Sequence, residues 1–223
     1  MHISEGIGFD IERMAEAGDK YAQACLGEMY QCEDGVNMNY STAVKWYRKA
    51  AEQGHAHGKY KFGEMYQYGY GVDRNLSTAV EWYRKAAEQG HADAQDNLGL
   101  MYHYGSGVDK NESTAVEWYR KAAEQGHADA QFNLGRMYEY GWDVDRNYST
   151  AMEWYRKAEK QGHAHAQYII GLMYKNGKGV DINYSTAAEW YRKAAEQGDD
   201  DAFNLGIAKQ RSKGTPMRNI NLE

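Results

Sequence analysis

Small and apolar residues along the chain follow two helical patterns that alternate. In the first pattern, helix A, they recur at Ala94, Leu98, Met101 and Tyr102, a spacing that gathers them on one face of a helix. In the second pattern, helix B, they form a stripe opposite a charged face. The stripe of one copy comprises Ala115, Trp118, Tyr119, Ala122 and Ala123. The link from Gly105, GSGVDKN, is rich in glycine with Val108 as its one apolar residue. We therefore expect a helical hairpin whose loop places this valine between the helices.

Both patterns repeat with a period of 36 residues. Equivalent tryptophans stand at Trp46, Trp82, Trp118, Trp154 and Trp190. Such a period predicts a tandem array of helix pairs, that is, an all-α solenoid. The predicted parts are an N-terminal capping half-repeat at 1–18, five repeats at 19–54, 55–90, 91–126, 127–162 and 163–198, a C-terminal capping helix at 199–212 and a flexible tail at 213–223. With the lone helices at both ends, the expected total is twelve helices.

Two residues compete for the start of helix B. Thr114 with Glu117 three positions later fits a capping box, and Asn111 is an alternative N-cap. Gly126 can adopt the left-handed conformation that ends the helix.

The composition is unusual for a folded chain. It contains eight Leu, eight Ile, eight Val and four Phe among 223 residues, a proportion that by itself would suggest disorder. The repeat offers an explanation, because each hairpin meets only its neighbours. Small Ala and Gly residues let helices approach closely, while 20 Tyr, ten Met and six Trp fill the remaining space.

The repeated unit has the form A-x-x-x-L-G-x-M-Y-x-x-G-x-G-V, then T-A-x-x-W-Y-R-K-A-A-E-Q-G. It resembles the Sel-1-like repeat, a relative of the tetratricopeptide repeat, over about Gly18 to Gly206. Glu33 and Asp143 replace loop glycines of this pattern. The resemblance implies a right-handed superhelix lined by helix A. It also implies an adaptor or scaffold, often in bacterial signalling, secretion or host contact, without catalytic residues.

Positions that differ between copies suggest where a partner binds. On the helical wheel those of helix A lie opposite its recurrent face, toward the expected concave side, and Trp142 lies in the following loop. The candidate partner-binding residues are Tyr60, Glu64, Tyr68, Asp96, Leu100, His103, Tyr104, Phe132, Arg136, Glu139, Tyr140, Trp142, Tyr168, Leu172 and Lys175. Aromatic residues and arginine are typical of binding hot spots.

Several of these assignments leave an alternative open. Two interpretations are open for Tyr68, Tyr104 and Tyr140, which either contact a partner or pack against the next repeat. For Tyr60, Phe132 and Tyr168, contact with a ligand is the favoured interpretation. Trp142, off the 36-residue ladder, either anchors a partner or folds onto its own loop. The ladder tryptophans recur with alanine neighbours on the buried stripe, which favours core packing.

Other chemistries find little support. His55, His91, His127 and His163 recur, but equivalent residues of successive repeats lie about 10 Å apart, whereas one zinc needs ligands within about 2.1 Å. No phosphate loop, dinucleotide fingerprint or hydrolase serine motif occurs. The net charge of −6 argues against nucleic acid, since the Arg-Lys pairs of helix B have Glu residues at pairing distance.

The function expected from the sequence is that of an adaptor or scaffold that binds a protein or peptide on the helix A surface. A dedicated neutralising partner of a bacterial effector is the alternative, and an RNA-binding repeat or a β-lactamase-like hydrolase is more remote. We expect a non-enzymatic monomer without cofactor or metal, and without nucleic-acid binding or membrane insertion. The expected location is cytoplasmic, or exported if a leader has been removed.

Overall fold

The computed structural model describes residues 10–32 and 36–198, and these residues form helices and loops without strands. Ten helices are α1 Lys20–Cys32, α2 Tyr40–Glu52, α3 Ala56–Tyr68, α4 Leu76–Ala87, α5 Ala92–Tyr104, α6 Glu112–Glu124, α7 Ala128–Tyr140, α8 Tyr148–Glu159, α9 Ala164–Asn176 and α10 Tyr184–Glu196. Residues 10–16 are also helical, within the expected N-terminal half-repeat. The expected capping helix at 199–212 and the tail at 213–223 lie outside the described residues, as does the substituted loop position Glu33.

The helices fall into two compact units, Met1–Gln125 and Gly126–Glu223. Odd-numbered helices are A helices and even-numbered ones are B helices. In the first unit each of α1 to α5 packs on the next helix along the chain, and in the second unit each of α7 to α9 does the same. Packing between consecutive helix pairs is the architecture of an all-α solenoid, as predicted.

Each hairpin is centred on a tyrosine of helix B that faces a glycine of helix A. Tyr47, Tyr83, Tyr119 and Tyr155 are at most 1% exposed. A Cβ built on the glycines opposite them, Gly27, Gly63, Gly99 and Gly135, would lie only 2.6 to 2.8 Å from the tyrosine ring. The absence of a side chain at these glycines is therefore what lets the two helices close over the ring.

The ladder tryptophans lie at the edge of this core. Trp46, Trp82, Trp118 and Trp190 are partly buried and pack against the core clusters, in agreement with the predicted packing role. On each of the five tryptophans, the lysine three residues later lies over the ring, 3.6 to 4.3 Å from its centroid. Many of the lysines that were expected to pair with Glu thus cover an indole instead.

Asparagine, and not threonine, caps helix B. The side chain of Asn111 accepts a hydrogen bond of 2.9 Å from the amide of Thr114, and Asn39, Asn75, Asn147 and Asn183 do the same in their repeats. The helix consequently begins at Glu112, ahead of the predicted cap Thr114. Val108 packs against its core cluster, as expected from the loop sequence.

Candidate partner-binding surface

In the first unit, Tyr60 is held by contacts to a neighbouring helix and to its own helix. Its ring is half-buried and stacks on His91, with 4.7 Å between ring centroids. Its hydroxyl donates a 3.0 Å hydrogen bond to Oε1 of Glu64, whose other oxygen accepts a bond from Lys61. Burial, with the nearby carboxylate, raises the pKa of the Tyr60 hydroxyl well above its ordinary value. Tyr60 and Glu64 therefore present a rigid, partly covered patch.

Two other candidates of the first unit are buried. Asp96 is 5% and His103 8% exposed. The Nδ1 atom of His103 lies 2.5 Å from Oε2 of Glu112, and Lys110 contacts the other oxygen of that carboxylate at 2.8 Å. His103 thus ties the end of α5 to the start of α6, and little of its surface is available to a partner.

The tyrosines at the C-terminal ends of these A helices are exposed. Tyr68 is 53% and Tyr104 61% exposed, and Leu100 is half-buried. Tyr68 stacks on Tyr70, which in turn stacks on Tyr40 with ring centroids 4.9 Å apart. The comparison of helix A positions between repeats missed two of these residues, because Tyr40 begins a B helix and Tyr70 lies in a loop. Only the folded hairpins bring the three rings together.

In the second unit, two candidates belong to the packed interior. Phe132 is 9% exposed, stacks on His163 at 4.6 Å and lies 5.5 Å from the ring of Tyr155. Glu139 is 7% exposed. Its carboxylate accepts bonds of 2.8 Å from the hydroxyl of Tyr155 and 2.9 Å from Nζ of Lys178. The Glu139 hydrogen bond raises the pKa of Lys178, and burial raises that of Tyr155.

The second unit also presents a group of residues that we call the Arg136 cluster: Arg136, Tyr140 and Trp142. The rings of Tyr140 and Trp142 stack with centroids 4.6 Å apart and planes 20° from parallel. The guanidinium of Arg136 lies 5.4 Å from the Trp142 ring and 6.0 Å from the Tyr140 ring. Tyr140 is 51% exposed, and the other two residues are half-buried. Trp142 therefore folds onto the end of its own helix pair and keeps part of its ring in solvent.

The remaining candidates lie on α9. Tyr168 and Leu172 are half-buried, and Lys175 is exposed. The Tyr168 ring lies 5.7 Å from that of Tyr191 and 5.6 Å from His165. Tyr168 thus lies against the helix B tyrosine of its own repeat, as Phe132 lies against Tyr155 one repeat earlier.

The recurrent histidines have a role that the sequence reasoning did not assign to them. His55, His91, His127 and His163 cap the A helices, each accepting at Nδ1 the amide hydrogen three residues later. The available signal was their position directly before α3, α5, α7 and α9, where α1 has Asp19 as its cap. Within residues 10–32 and 36–198, no group of three or more His, Cys, Asp or Glu side chains is arranged to hold a metal ion. None of the described helices is long and apolar enough to cross a membrane.

Comparisons with known structures give the same architecture. A protective antigen with an SLR fold, present in uropathogenic Escherichia coli strains, is 40% identical with a TM-score of 0.86. The alignment covers 93% of this chain but only 44% of that one, so this chain spans less than half of that relative. A Sel1 repeat protein from Oxalobacter formigenes is 28% identical with a TM-score of 0.82, covering 98% of this chain and 99% of its own.

An immunity protein from Pseudomonas aeruginosa is 22% identical with a TM-score of 0.57, covering 90% of this chain and 76% of that one. At this identity the likeness concerns the fold alone. Comparison with curated proteins gives no match.

The repeats themselves match one family. The Sel1 repeat matches five consecutive segments, residues 20–55, 56–91, 92–127, 128–163 and 164–199. Proteins built from this repeat generally bind other proteins as interaction scaffolds, and the fold is typically non-enzymatic. The matched segments cover well over half of the sequence, and the chain belongs to the Sel1 repeat family.

Proposed function

We propose that the protein is an adaptor or scaffold that binds a peptide or protein partner through the exposed ends of its A helices. The Arg136 cluster carries this proposal. It presents two stacked rings and a cation together, and these residue types dominate binding hot spots because they bury much area for little lost rotamer freedom. Its contacts within the chain already fix the orientation of the rings, which lowers the entropy cost of binding.

The chemistry of the cluster favours one kind of partner segment. Within the part of the chain that the structure describes, the Arg136 guanidinium lies against two rings and forms no ion pair. A carboxylate can bind such a guanidinium with two hydrogen bonds, while a neighbouring aromatic or aliphatic residue covers the rings. We therefore expect the partner to offer an acidic residue next to an apolar one.

The stacked tyrosines of the first unit offer a second patch of similar kind. Tyr68 and Tyr70 are exposed and Tyr40 is half-buried, and their hydroxyl groups can hydrogen-bond to a peptide backbone. Buried candidates such as Phe132 and Glu139 serve the proposal indirectly, because they hold the helices that carry the exposed residues.

The test begins with affinity capture and mass spectrometry to identify a partner, followed by calorimetry with the purified partner. Replacing Arg136, Tyr140 and Trp142 with Ala is expected to weaken binding at least about tenfold, the effect of losing one hot spot. A matched control replaces exposed residues of α10, Tyr184 and Arg192, and is expected to leave the affinity unchanged. Equal affinities for the two variants, with unchanged helical circular dichroism, would show that the cluster is not the binding surface.

The same calorimetry separates a scaffold from a dedicated neutralising protein. A scaffold is expected to bind several related segments in the micromolar range, whereas a neutralising protein binds one target at nanomolar strength or better. A single captured target with nanomolar affinity would replace the adaptor function with the neutralising one.

A further inference from the structure

Three side chains from successive repeats form a hydrogen-bonded line on the first unit. Nε2 of His91 lies 3.1 Å from Nδ1 of His57, and Nε2 of His57 lies 2.7 Å from Oε1 of Glu28. The two imidazole rings are stacked, with centroids 5.4 Å apart. Since Glu28 lies on α1, His57 on α3, and His91 at the start of α5, the line connects three A helices.

The cap of α5 determines where each proton of this line sits. Nδ1 of His91 accepts the amide hydrogen of Ala94, so the imidazole proton of His91 must be on Nε2. That proton points to Nδ1 of His57, which therefore accepts it and keeps its own proton on Nε2. The Nε2–H of His57 then donates to the carboxylate of Glu28. Every group has its partner only while both rings are neutral.

A proton added to either imidazole ring breaks a bond in this line. On His91 it must occupy Nδ1, where it faces the amide hydrogen of Ala94 and abolishes the cap, close to the positive end of a helix. On His57 it must occupy Nδ1, where it faces the Nε2–H of His91 and abolishes the link between α3 and α5. In neither case does the extra proton restore the lost bond.

Charged groups with opposite effects on imidazole protonation surround the two histidines. Glu28 faces His57 from α1. Asp93 on α5 lies 3.6 Å from Nδ1 of His91 and favours the protonated form of that ring. Lys61 on α3 disfavours protonation, whereas its partner Glu64 favours it, and His55 lies against His57. For His91, burial is the largest effect and lowers its pKa from the ordinary histidine value. The hydroxyl of Tyr60, whose ring stacks on His91, stays neutral in this range.

In the second unit, the contact equivalent to His57–His91 joins Asp129 to His163. Protonation of the histidine does not break this contact. Asp129 stands at the repeat position of His57, and its carboxylate lies 3.3 Å from Nε2 of His163. The hydrogen bond from His163 lowers the pKa of Asp129, so this carboxylate stays charged in mild acid. Protonation of His163 leaves the Nε2–H donor in place, and the link to Asp129 persists.

The geometry points to an acid-sensitive link: Glu28, His57 and His91 hold the A helices of the first unit together near neutral pH and release α5 in mild acid. The consequence is local, because the change of protonation lies beside Tyr60 on the candidate binding surface. Acidification is expected to loosen the start of α5 before the unit as a whole unfolds.

Hydrogen exchange on the full chain tests this link. Between pH 7 and pH 5, protection of the first-turn amides of α5 is expected to fall, after correction for intrinsic exchange, by up to about tenfold per pH unit for each proton taken up. The double variant His57→Gln and His91→Asn is expected to abolish this fall. The glutamine side chain can still accept from residue 91 and donate to Glu28, and the asparagine side chain retains a capping oxygen, yet neither titrates. Segments of α7 and α9 serve as an internal control and are expected to respond alike in both proteins.

Two results would overturn the inference. One is an equal acid-induced loss of protection at α5 in the parent chain and the double variant, or no loss in the parent. The other comes from nitrogen chemical shifts of the imidazoles, which are expected to show the Nε2–H form of His91 at pH 7.5; the Nδ1–H form would contradict the proton order. If the double variant lacks native circular dichroism, His91→Asn alone is measured, because it removes the titrating cap of α5 and keeps a capping oxygen. An undiminished acid-induced loss of protection in that variant contradicts the link.

Discussion

The contact between a tyrosine and a facing glycine decides how closely the two helices of a hairpin approach. Gly99 lies under the ring of Tyr119, which is 1% exposed and has no room to move away. Alanine at a helical glycine normally stabilises a helix by about 1 kcal/mol. Here the added Cβ would lie 2.6 Å from the ring, and such overpacking costs about 1 to 3 kcal/mol.

We therefore expect Gly99→Ala to destabilise the protein by up to about 2 kcal/mol, although alanine has the higher helix propensity. The midpoint of urea unfolding measures this effect. Glu117→Ala, on the exposed face of α6, is the control and is expected to change stability by less than about 0.5 kcal/mol. A gain in stability for Gly99→Ala would show that the ring can yield.

A buried carboxylate gives a second prediction at this scale. Glu139 depends on Lys178 and Tyr155 for its hydrogen bonds, so Lys178→Met leaves the buried charge with one partner. The expected loss is about 1 to 3 kcal/mol, measured by urea unfolding. Adding Glu139→Gln is expected to recover most of it, because a neutral amide costs less to bury. Purely additive losses in this double-mutant cycle would contradict the pairing.

At the scale of the helices, A and B helices differ in their N-cap residue. Asparagine caps the B helices without titrating, whereas histidine caps α3, α5, α7 and α9 and loses its acceptor when protonated. The remaining A helix, α1, is capped by Asp19. The stability of the four histidine-capped helices is therefore coupled to pH through the imidazole, and that of the B helix caps is not.

His55 allows this coupling to be measured. Burial is the main cause that lowers its folded-state pKa, while the unfolded chain keeps a value of about 6.5. Below that pH the unfolded chain takes up a proton that the folded cap resists, so stability is lost as the pH falls from about 6.5 through the lower folded value. His55→Asn keeps a capping acceptor, and we expect it to reduce the loss of thermal stability between pH 7.5 and 5.5. His165→Gln, at a histidine that caps no helix, is the comparison, and equal losses in both variants would refute the coupling.

The helices show which features a sequence of this kind can reveal. The 36-residue period was sufficient for the hairpins and their order, because every helix recurs with the same apolar face. It could not distinguish Asn111 from Thr114 as the cap, since both can bond to nearby free amides. Nor could it show which ring is fully buried, because Trp118 and Tyr119 share one stripe and only the latter meets a glycine.

The candidate surface was less predictable, because contacts made after the chain folds back decide which of its residues are exposed. His103 and Tyr104 are neighbours on the variable face, yet one is 8% and the other 61% exposed. The difference arises from Glu112, which reaches His103 after the intervening loop has folded back. A helical wheel contains no information on that return of the chain. It placed Tyr140 and Arg136 on the variable face, but it could not show that the loop residue Trp142 would stack on Tyr140 beside Arg136.

For the whole molecule, the repeat makes it possible to exchange surface residues without disturbing the core. Leu100, Tyr104 and Ser106 stand in the third repeat where Arg136, Tyr140 and Trp142 stand in the fourth. The double variant Arg136→Leu and Trp142→Ser therefore gives the fourth repeat a surface that the chain already tolerates one repeat earlier. Because the buried Gly135 and Tyr155 contact is unchanged, we expect the thermal midpoint to shift by no more than a few degrees.

Partner affinity is expected to respond quite differently to this exchange. Removing the guanidinium and the indole takes away the charge and half of the stacked pair, so binding should weaken at least about tenfold. The reciprocal variant, Leu100→Arg with Ser106→Trp in the parent chain, controls for nonspecific gain and is expected to leave the original binding site intact. Calorimetry with the captured partner measures both variants. Undiminished affinity after the first exchange, with an unchanged thermal midpoint, would mean that recognition rests on the recurrent scaffold and not on the residues that distinguish the fourth repeat.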